Sequence, residues 1–414
     1  MKKQIADVAV VGAGAAGMLA AGTAAEVGAS VRLFERGPRP GRKLRITGKG
    51  RCNVTNDCTP REIMENLPTN GKFLYSSLEA FPPAKVKAFF EALGVPLKTE
   101  RGRRVFPVSD RASDIVDALV QYCAREGVET VYSRVLDVRR SSDGFFLLDT
   151  NTGEHFAKRV ILCTGGLSYP LTGSTGDGYV FARRLGHSIS EPRASLVPLL
   201  TEDDLCARLQ GLSLKNVTLT VLGGNGKPIY EELGEMLFTH FGVSGPLVLS
   251  ASAHIRDWSR GPFSGSIDLK PGLDERKLDE RICRDLRENA NKDSLNAIRG
   301  LMPAKLVPVI AEMAGIPEDM KANSITRSQR QALLHALKFF PLKFLGTRPV
   351  EEAVVTSGGV NVREVNPKTM ESRLVSGLYF AGEILDVDGY TGGYNLQVAW
   401  STARAAGTYG GSIS

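Results

Sequence analysis

Gly12-Ala-Gly14-Ala-Ala-Gly17 follows the apolar run Val8–Val11 and opens an alanine-rich stretch. The order predicts a strand, a tight turn and a helix. In such a turn Gly12 permits the bend. Gly14 lets the backbone touch a pyrophosphate at the positive end of the helix, and Gly17 lets helix and strand pack closely. Ala15 and Ala16 share the turn. Glu35 follows Gly17 by 18 residues, at the end of Val31–Glu35. Its carboxylate is placed to accept two hydrogen bonds from an adenosine ribose. The implied chemistry is dinucleotide binding.

Two further segments say which dinucleotide. Ala381-Gly382-Glu383 follows the apolar run Leu378–Phe380, and Gly392-Gly393-Tyr394-Asn395 opens a terminal helix that continues through Leu396. A nicotinamide dehydrogenase rarely returns to its fingerprint domain with its last residues. FAD enzymes do, bringing Gly plus an acid to the ribityl chain and a helix N-terminus to the pyrimidine side of the ring. Amides there stabilise negative charge on the reduced flavin. Thr164-Gly165-Gly166, after the apolar run Arg159–Cys163, is a third such segment. FAD is therefore the expected cofactor. A second dinucleotide fingerprint is absent, because Gly223-Gly224-Asn225-Gly226 has the wrong flanks. NAD(P)H is thus expected only as a transient reductant; the alternative is a reducing substrate with oxygen as acceptor.

Arg32–Arg51 holds eight Lys/Arg and one acid, Glu35. Arg42, Lys43, Arg51 and Asn53 belong to this glycine-containing loop, which is expected to neutralise the cofactor phosphates. Three residues are candidate proton donors. Cys52 could donate a proton to a reduced alkene, with burial in the core as the competing reading. His240 sits in Phe238-Thr-His-Phe-Gly-Val-Ser244. Tyr390 precedes the terminal glycines, with Tyr394 as its alternative. His187 reads as structural, and Asp177 as either a turn former or a cofactor-loop residue. No cysteine pair has C-x-x-C spacing, so neither a zinc knuckle nor a redox dithiol is indicated, and no metal is expected.

The elements that must position these residues begin with a βαβ unit, Asp7–Val11 to Val31–Glu35. Pro83–Leu93 and Ser113–Arg125 have helical periodicity, and Lys98–Val108 between them reads as a basic hairpin. Val131–Arg139, Phe145–Asp149 and His155–Ala157 suggest a β-meander ahead of the strand Arg159–Cys163. Leu196–Leu200, Asn216–Leu222 and Pro228–Glu232 suggest antiparallel strands. Leu278–Asn289, Leu306–Ala314 and Ser328–Phe339 suggest helices. Strand-like sequence resumes near Glu351.

The combination resembles a known family. Val10–Gly17, Lys49-Gly-Arg-Cys-Asn53, Gly173-Ser-Thr-Gly-Asp-Gly178, Leu237–Pro246, Ser357-Gly-Gly-Val360 and Gly382–Asp386 through Gly392–Asn395 are similar to the BaiN/YhiN-like flavoproteins, also labelled the aminoacetone oxidase family. The resemblance spans essentially the whole chain. It implies an α/β fold: a Rossmann-like FAD-binding domain built from both chain ends, with an inserted β-barrel plus helical domain. The expected boundaries are 1–190 and 346–414 for the FAD domain and 191–345 for the insert, with the barrel at 191–270 and the helices at 271–345. Arg36 and Val135 join the expected cofactor contacts. Three activities are known in the family: reduction of a bile-acid enone, oxidation of aminoacetone, and formation of dihydrouridine in large-subunit ribosomal RNA.

The 414 residues carry 52 Lys+Arg against 45 Asp+Glu. This mild excess permits an anionic partner without demanding one. Val8–Ala25, after Lys2 and Lys3, superficially resembles a signal peptide, but Asp7 and the glycines argue against it. No other run approaches a membrane span, and a cytoplasmic location is the default. A uracil ring is a carbonyl-activated alkene, so dihydrouridine synthesis in ribosomal RNA leads the expected activities. Basic segments Arg32–Arg51, Lys98–Arg111 and Lys338–Arg348 would supply phosphate contacts. A small-molecule substrate is the alternative.

Overall fold

The computed structural model describes residues 5–202 and 204–412; Lys2 and Lys3 lie outside them. The chain forms two compact units, Met1–Ser195 with Pro349–Ser414, and Leu196–Arg348.

In the first unit, β1 (Ile5–Val11) lies parallel to β2 (Val31–Glu35), with Val10 opposite Leu33. Every β2 residue is buried, as expected of a strand covered on both faces. The first helix, Ala15–Glu26, buries Ala16 through Ala24. It has no polar face because the terminal helix, Tyr394–Gly411, covers it. A Cβ on Gly407 would lie 2.5 Å from the Ala20 carbonyl oxygen, and one on Gly411 2.6 Å from that of Ala24. Glycines four apart thus let the two ends of the chain pack backbone to backbone, and Arg404 caps the contact on Glu26 at 2.6 Å.

The basic stretch after Glu35, expected as loop, contains a short helix, Arg42–Ile46, and a 3-10 turn, Thr47–Gly50. β3 (Thr55–Asn56), β4 (Leu97–Glu100) and β5 (Arg104–Pro107) form a small antiparallel sheet, with β4–β5 as the expected hairpin. β6 (Glu129–Tyr132) extends the main sheet parallel to β2. β7 (Val135–Arg140), β8 (Phe146–Thr150) and β9 (Gly153–Leu162) form the meander. β9 is one long strand where the sequence suggested two. The charges that interrupt its apolar pattern are bound at its edges, Lys158 by Asp7 and Arg159 by the Gly410 carbonyl. Its first half pairs β8; its second half is parallel to β1 and to Leu378–Phe380.

Lys158 holds the Asp7 carboxyl at about 2, with further help from Ser30. The Asp7 contribution to stability is therefore complete above about pH 4 and is lost as pH falls through about 2. Asp7→Asn is expected to cost about 2 kcal/mol at pH 7 and almost nothing at pH 2, read by urea unfolding at each pH.

β10 (Ile189–Ser195) pairs antiparallel with Val355–Val360, so residues 191–195 belong to the first unit and not to the insert. The second unit is built on a closed barrel of β11 (Leu199–Thr201), β12 (Ser213–Leu222), β13 (Pro228–Thr239), β14 (Gly242–Ser244), β15 (Phe263–Asp268) and β16 (Phe340–Thr347), in the order β11-β14-β13-β12-β15-β16. Helices Glu275–Glu288, Val307–Met313 and Arg327–Lys338 lie between β15 and β16 in the chain. The expected split at residue 270 is thereby corrected, because the last barrel strand comes after the helices. Phe340, Leu342 and Phe344 alternate inward, but no turn residue separates them from the preceding helix. The first unit resumes with β17 (Val355–Val360) and β18 (Leu378–Phe380).

Candidate active site

The three glycines of the first turn have different physical reasons. Gly12 has φ +101°, and a Cβ on it would lie 2.6 Å from the Cys163 carbonyl oxygen. A Cβ on Gly17 would lie 1.7 Å from the Gly12 carbonyl oxygen. Packing therefore demands both. Gly14, which caps the first helix, has nothing within 4 Å of its Cβ position. Packing does not require a glycine there; the open space lies at a helix N-terminus, where a pyrophosphate fits. Glu35 is buried, its oxygens accepting from Ala13 N at 3.1 Å and Gly37 N at 2.6 Å. Burial raises its pKa despite those bonds.

The other expected segments converge on the same edge of the sheet, at the C-terminal ends of its parallel strands, where open α/β sheets bind ligands. Thr164 and Gly165 follow β9, against Gly12. The Thr164 hydroxyl oxygen is buried with no partner, as are the amide oxygens of Asn53 and Asn56 and the Tyr179 hydroxyl. Such orphaned groups fit a bound polar ligand. Gly382 has φ +79°, and its Cβ position lies 2.8 Å from that of Ala16, beside Ala15. Glu383 accepts hydrogen bonds from Lys43 Nζ at 2.6 Å, Ser168 Oγ at 2.9 Å and Thr356 N at 2.9 Å. It joins four separate segments. Ser168 and Thr356 were not found from the sequence; only the Ser357-Gly-Gly run beside Thr356 hinted at them.

Arg36 meets Asp177 at 3.2 Å, and Arg134 meets the same carboxylate at 3.1 Å, which draws Val135 at the start of β7 towards this edge. Asp177 thus acts as a charge hub and not merely as a turn former. Arg42 donates to the Leu171 carbonyl. Arg51 departs from its expected role: Glu100 and Asp110 each hold its guanidinium at 2.5 Å, and it stacks on Phe106 at 4.2 Å. This ion-paired cluster occupies the charge expected to neutralise the cofactor.

At the terminal helix, Gly393 has φ +99°, and a Cβ on it would lie 2.4 Å from the Thr55 carbonyl carbon. The Asn395 side chain is used internally, accepting from Gly389 N and donating to the Gly389 and Tyr390 carbonyls. Its contribution to a ligand is limited to its backbone, with Tyr394 and Leu396 in the same first turn, whose N–H groups have no partner within the helix. Tyr390 is half-buried in that loop.

Cys52 is corrected. Cys52 is fully buried, and burial pushes its pKa up to about 12. It packs in the hydrophobic core of the first unit. His240 lies on an exposed turn between β13 and β14 in the second unit, its ring edge-on to Phe241 at 5.0 Å. His187 is structural, bonded to Glu364 at 3.2 Å and Ser372 at 2.8 Å inside the first unit. Cys52, Cys58, Cys123, Cys163 and Cys283 form no disulfide among the described residues. Among the described residues there is no cluster suited to a metal ion, and no helix is long and apolar enough to cross a membrane.

A βαβ glycine turn, a sheet edge gathering both ends of the chain and an inserted barrel define an FAD-dependent oxidoreductase of the two-ended Rossmann kind. The profile described as HI0933-like protein Rossmann domain matches residues 6–409, and the chain belongs to that family. It is 35% identical over 400 residues to the ribosomal RNA dihydrouridine synthase of Escherichia coli (strain K12), covering 96% of each chain. It is 32% identical over 410 residues to the 3-dehydro-bile acid delta(4,6)-reductase of Clostridium scindens, covering 97% of this chain and 98% of that one. Its fold resembles 3-ketosteroid delta1-dehydrogenase from Sterolibacterium denitrificans, with TM-score 0.51 and 13% identity, covering 98% of this chain and 99% of the other.

Proposed function

We propose that the protein reduces the C5=C6 bond of uridine in 23S ribosomal RNA to dihydrouridine, with NAD(P)H as the transient reductant. The likeness to the Escherichia coli enzyme across 96% of both chains carries this reading. FAD, when bound, supplies hydride transfer. Gly12, Gly14 and Gly17 would admit its pyrophosphate, Glu35 would bind its ribose, and the first turn of Tyr394–Gly411 would offer backbone N–H groups to the ring. Hydride goes to C6 and a proton to C5. Tyr390 and His240 remain the candidate donors. Six cysteines with no C-x-x-C spacing, in a chain large enough to fold without disulfides, fit a reducing, cytoplasmic compartment.

The test is mass spectrometry of 23S nucleosides from cells with and without the gene, followed by restoration with purified protein, FAD and NADH or NADPH. Loss and restoration of dihydrouridine are expected; an unchanged level overturns the reading. The 32% likeness to a bile-acid reductase favours a second reading, reduction of a small enone. That reading predicts enone-dependent NAD(P)H consumption without RNA.

A further inference from the structure

Most basic residues in the three candidate segments are already engaged. Lys43 is held by Glu383, Arg45 by Asp117 and Arg51 by Glu100 and Asp110. Lys338 is sunk against Asp268, and Lys343 pairs with Glu202. Lys49, Arg101 and Arg104 are different: all three are exposed, and none has an acid within ion-pair distance among the described residues. Arg103, between the two arginines, is exposed and pairs only with the surface carboxylate of Glu62 at 2.9 Å.

The two separate stretches that carry these charges both reach the ring of Phe106. Arg101–Arg104 forms the tip of the β4–β5 hairpin, where Gly102 has φ +76°. Phe106 behind the tip carries the Arg51 guanidinium at 4.2 Å and that of Arg104 at 5.9 Å. The Cβ position of Gly48, next to Lys49, lies 3.5 Å from the same ring. The tip is also fastened to the site. The Asn56 amide donates to the Gly102 carbonyl at 3.0 Å and to the Gly392 carbonyl at 3.1 Å. One side chain therefore bridges the arginine tip and the glycines that open the terminal helix. The amide oxygen of that same Asn56 is buried with no hydrogen-bond partner among the described residues.

We infer that Arg101 and Arg104, with Lys49 beside them, form the seat for the phosphates flanking the target uridine. The inference rests on the ribosomal RNA reading above. Guanidinium groups on a rigid tip suit phosphate binding. A base reduced at its ring carbons must leave its stack, so its flanking phosphates have to be held close to the redox site. A tip one residue-bridge from Gly392 meets that demand.

The test uses the full-length holoprotein and 23S RNA purified from a strain lacking the gene. The variants are Arg101→Gln/Arg104→Gln, with Lys49→Asn added, and Arg208→Ala as a control in the other unit. Filter binding across salt and dihydrouridine formation are read together. The tip variants are expected to keep FAD content and melting temperature, to raise KM for RNA at least ~10-fold, and to flatten the log K against log salt slope by about 1.4–1.8 for the two arginines and about 2.1–2.7 when Lys49 is changed as well. The control is expected to match wild type. If wild type modifies RNA and the tip variants match it in KM and slope, the seat is overturned while the functional reading stands. If wild type binds RNA through the tip but forms no dihydrouridine, the functional reading falls and the assignment of the tip to the phosphates of a target uridine falls with it. If wild type neither binds nor modifies RNA, both fall.

Discussion

Gly14→Ala and Gly17→Ala, three residues apart in one turn, are expected to fail in opposite ways. At Gly17 the new methyl would lie 1.7 Å from the Gly12 carbonyl oxygen, inside the strand–helix contact. Backbone cannot yield there without displacing the first helix. A loss of roughly 3 kcal/mol or more is expected, with FAD binding lost together with the fold. At Gly14 the methyl enters open space on a residue whose φ of -82° suits alanine. Stability without cofactor should change by about 1 kcal/mol or less. FAD affinity should fall at least ~10-fold, about 1.4 kcal/mol, because the methyl occupies the approach of the pyrophosphate. Thermal melts of the apoprotein and flavin-fluorescence titrations separate the two effects. A folded Gly14→Ala protein with wild-type FAD affinity would remove the pyrophosphate from this turn.

Glu383→Ala is expected to produce the second largest effect. It leaves the Lys43 ammonium with Ser168 and the Tyr169 ring and strands the Thr356 N–H, at a cost of roughly 2–4 kcal/mol. Glu383→Gln keeps the shape and should cost about half as much. Lys43→Met combined with Glu383→Met removes both charges at once. That double variant should be less destabilised than the sum of the single changes by about 1–3 kcal/mol. Denaturant unfolding reads the cycle, and strict additivity would show that the two residues are not one network.

The glycine turns of the candidate site were legible because they rest on backbone. A strand, three glycines at fixed spacing and an acid at the next strand end are local features, and local sterics dictate them. The same holds for the glycines at 382, 392 and 393. Side-chain roles were less legible. Arg51 and Lys43 lie eight residues apart in one basic loop and looked equivalent. The fold gives Lys43 to Glu383 and Arg51 to Glu100 and Asp110, partners 49 to 340 residues away in sequence. Cys52 stood in a chemically suggestive loop and proved to be core, because burial depends on what packs from elsewhere. β16 was missed for a related reason: its alternation runs on from a helix with no turn between, and only closure of the barrel makes it a strand.

By itself, then, the sequence determined the cofactor turn, the order of elements and the return of the chain's last residues to its first, since periodicity and glycine stereochemistry act over short range. Tertiary structure alone decided which charges are spent on one another and which stay open to a ligand. The ion pairs of Lys43 and Arg51 join residues distant in the chain, and no local pattern records them.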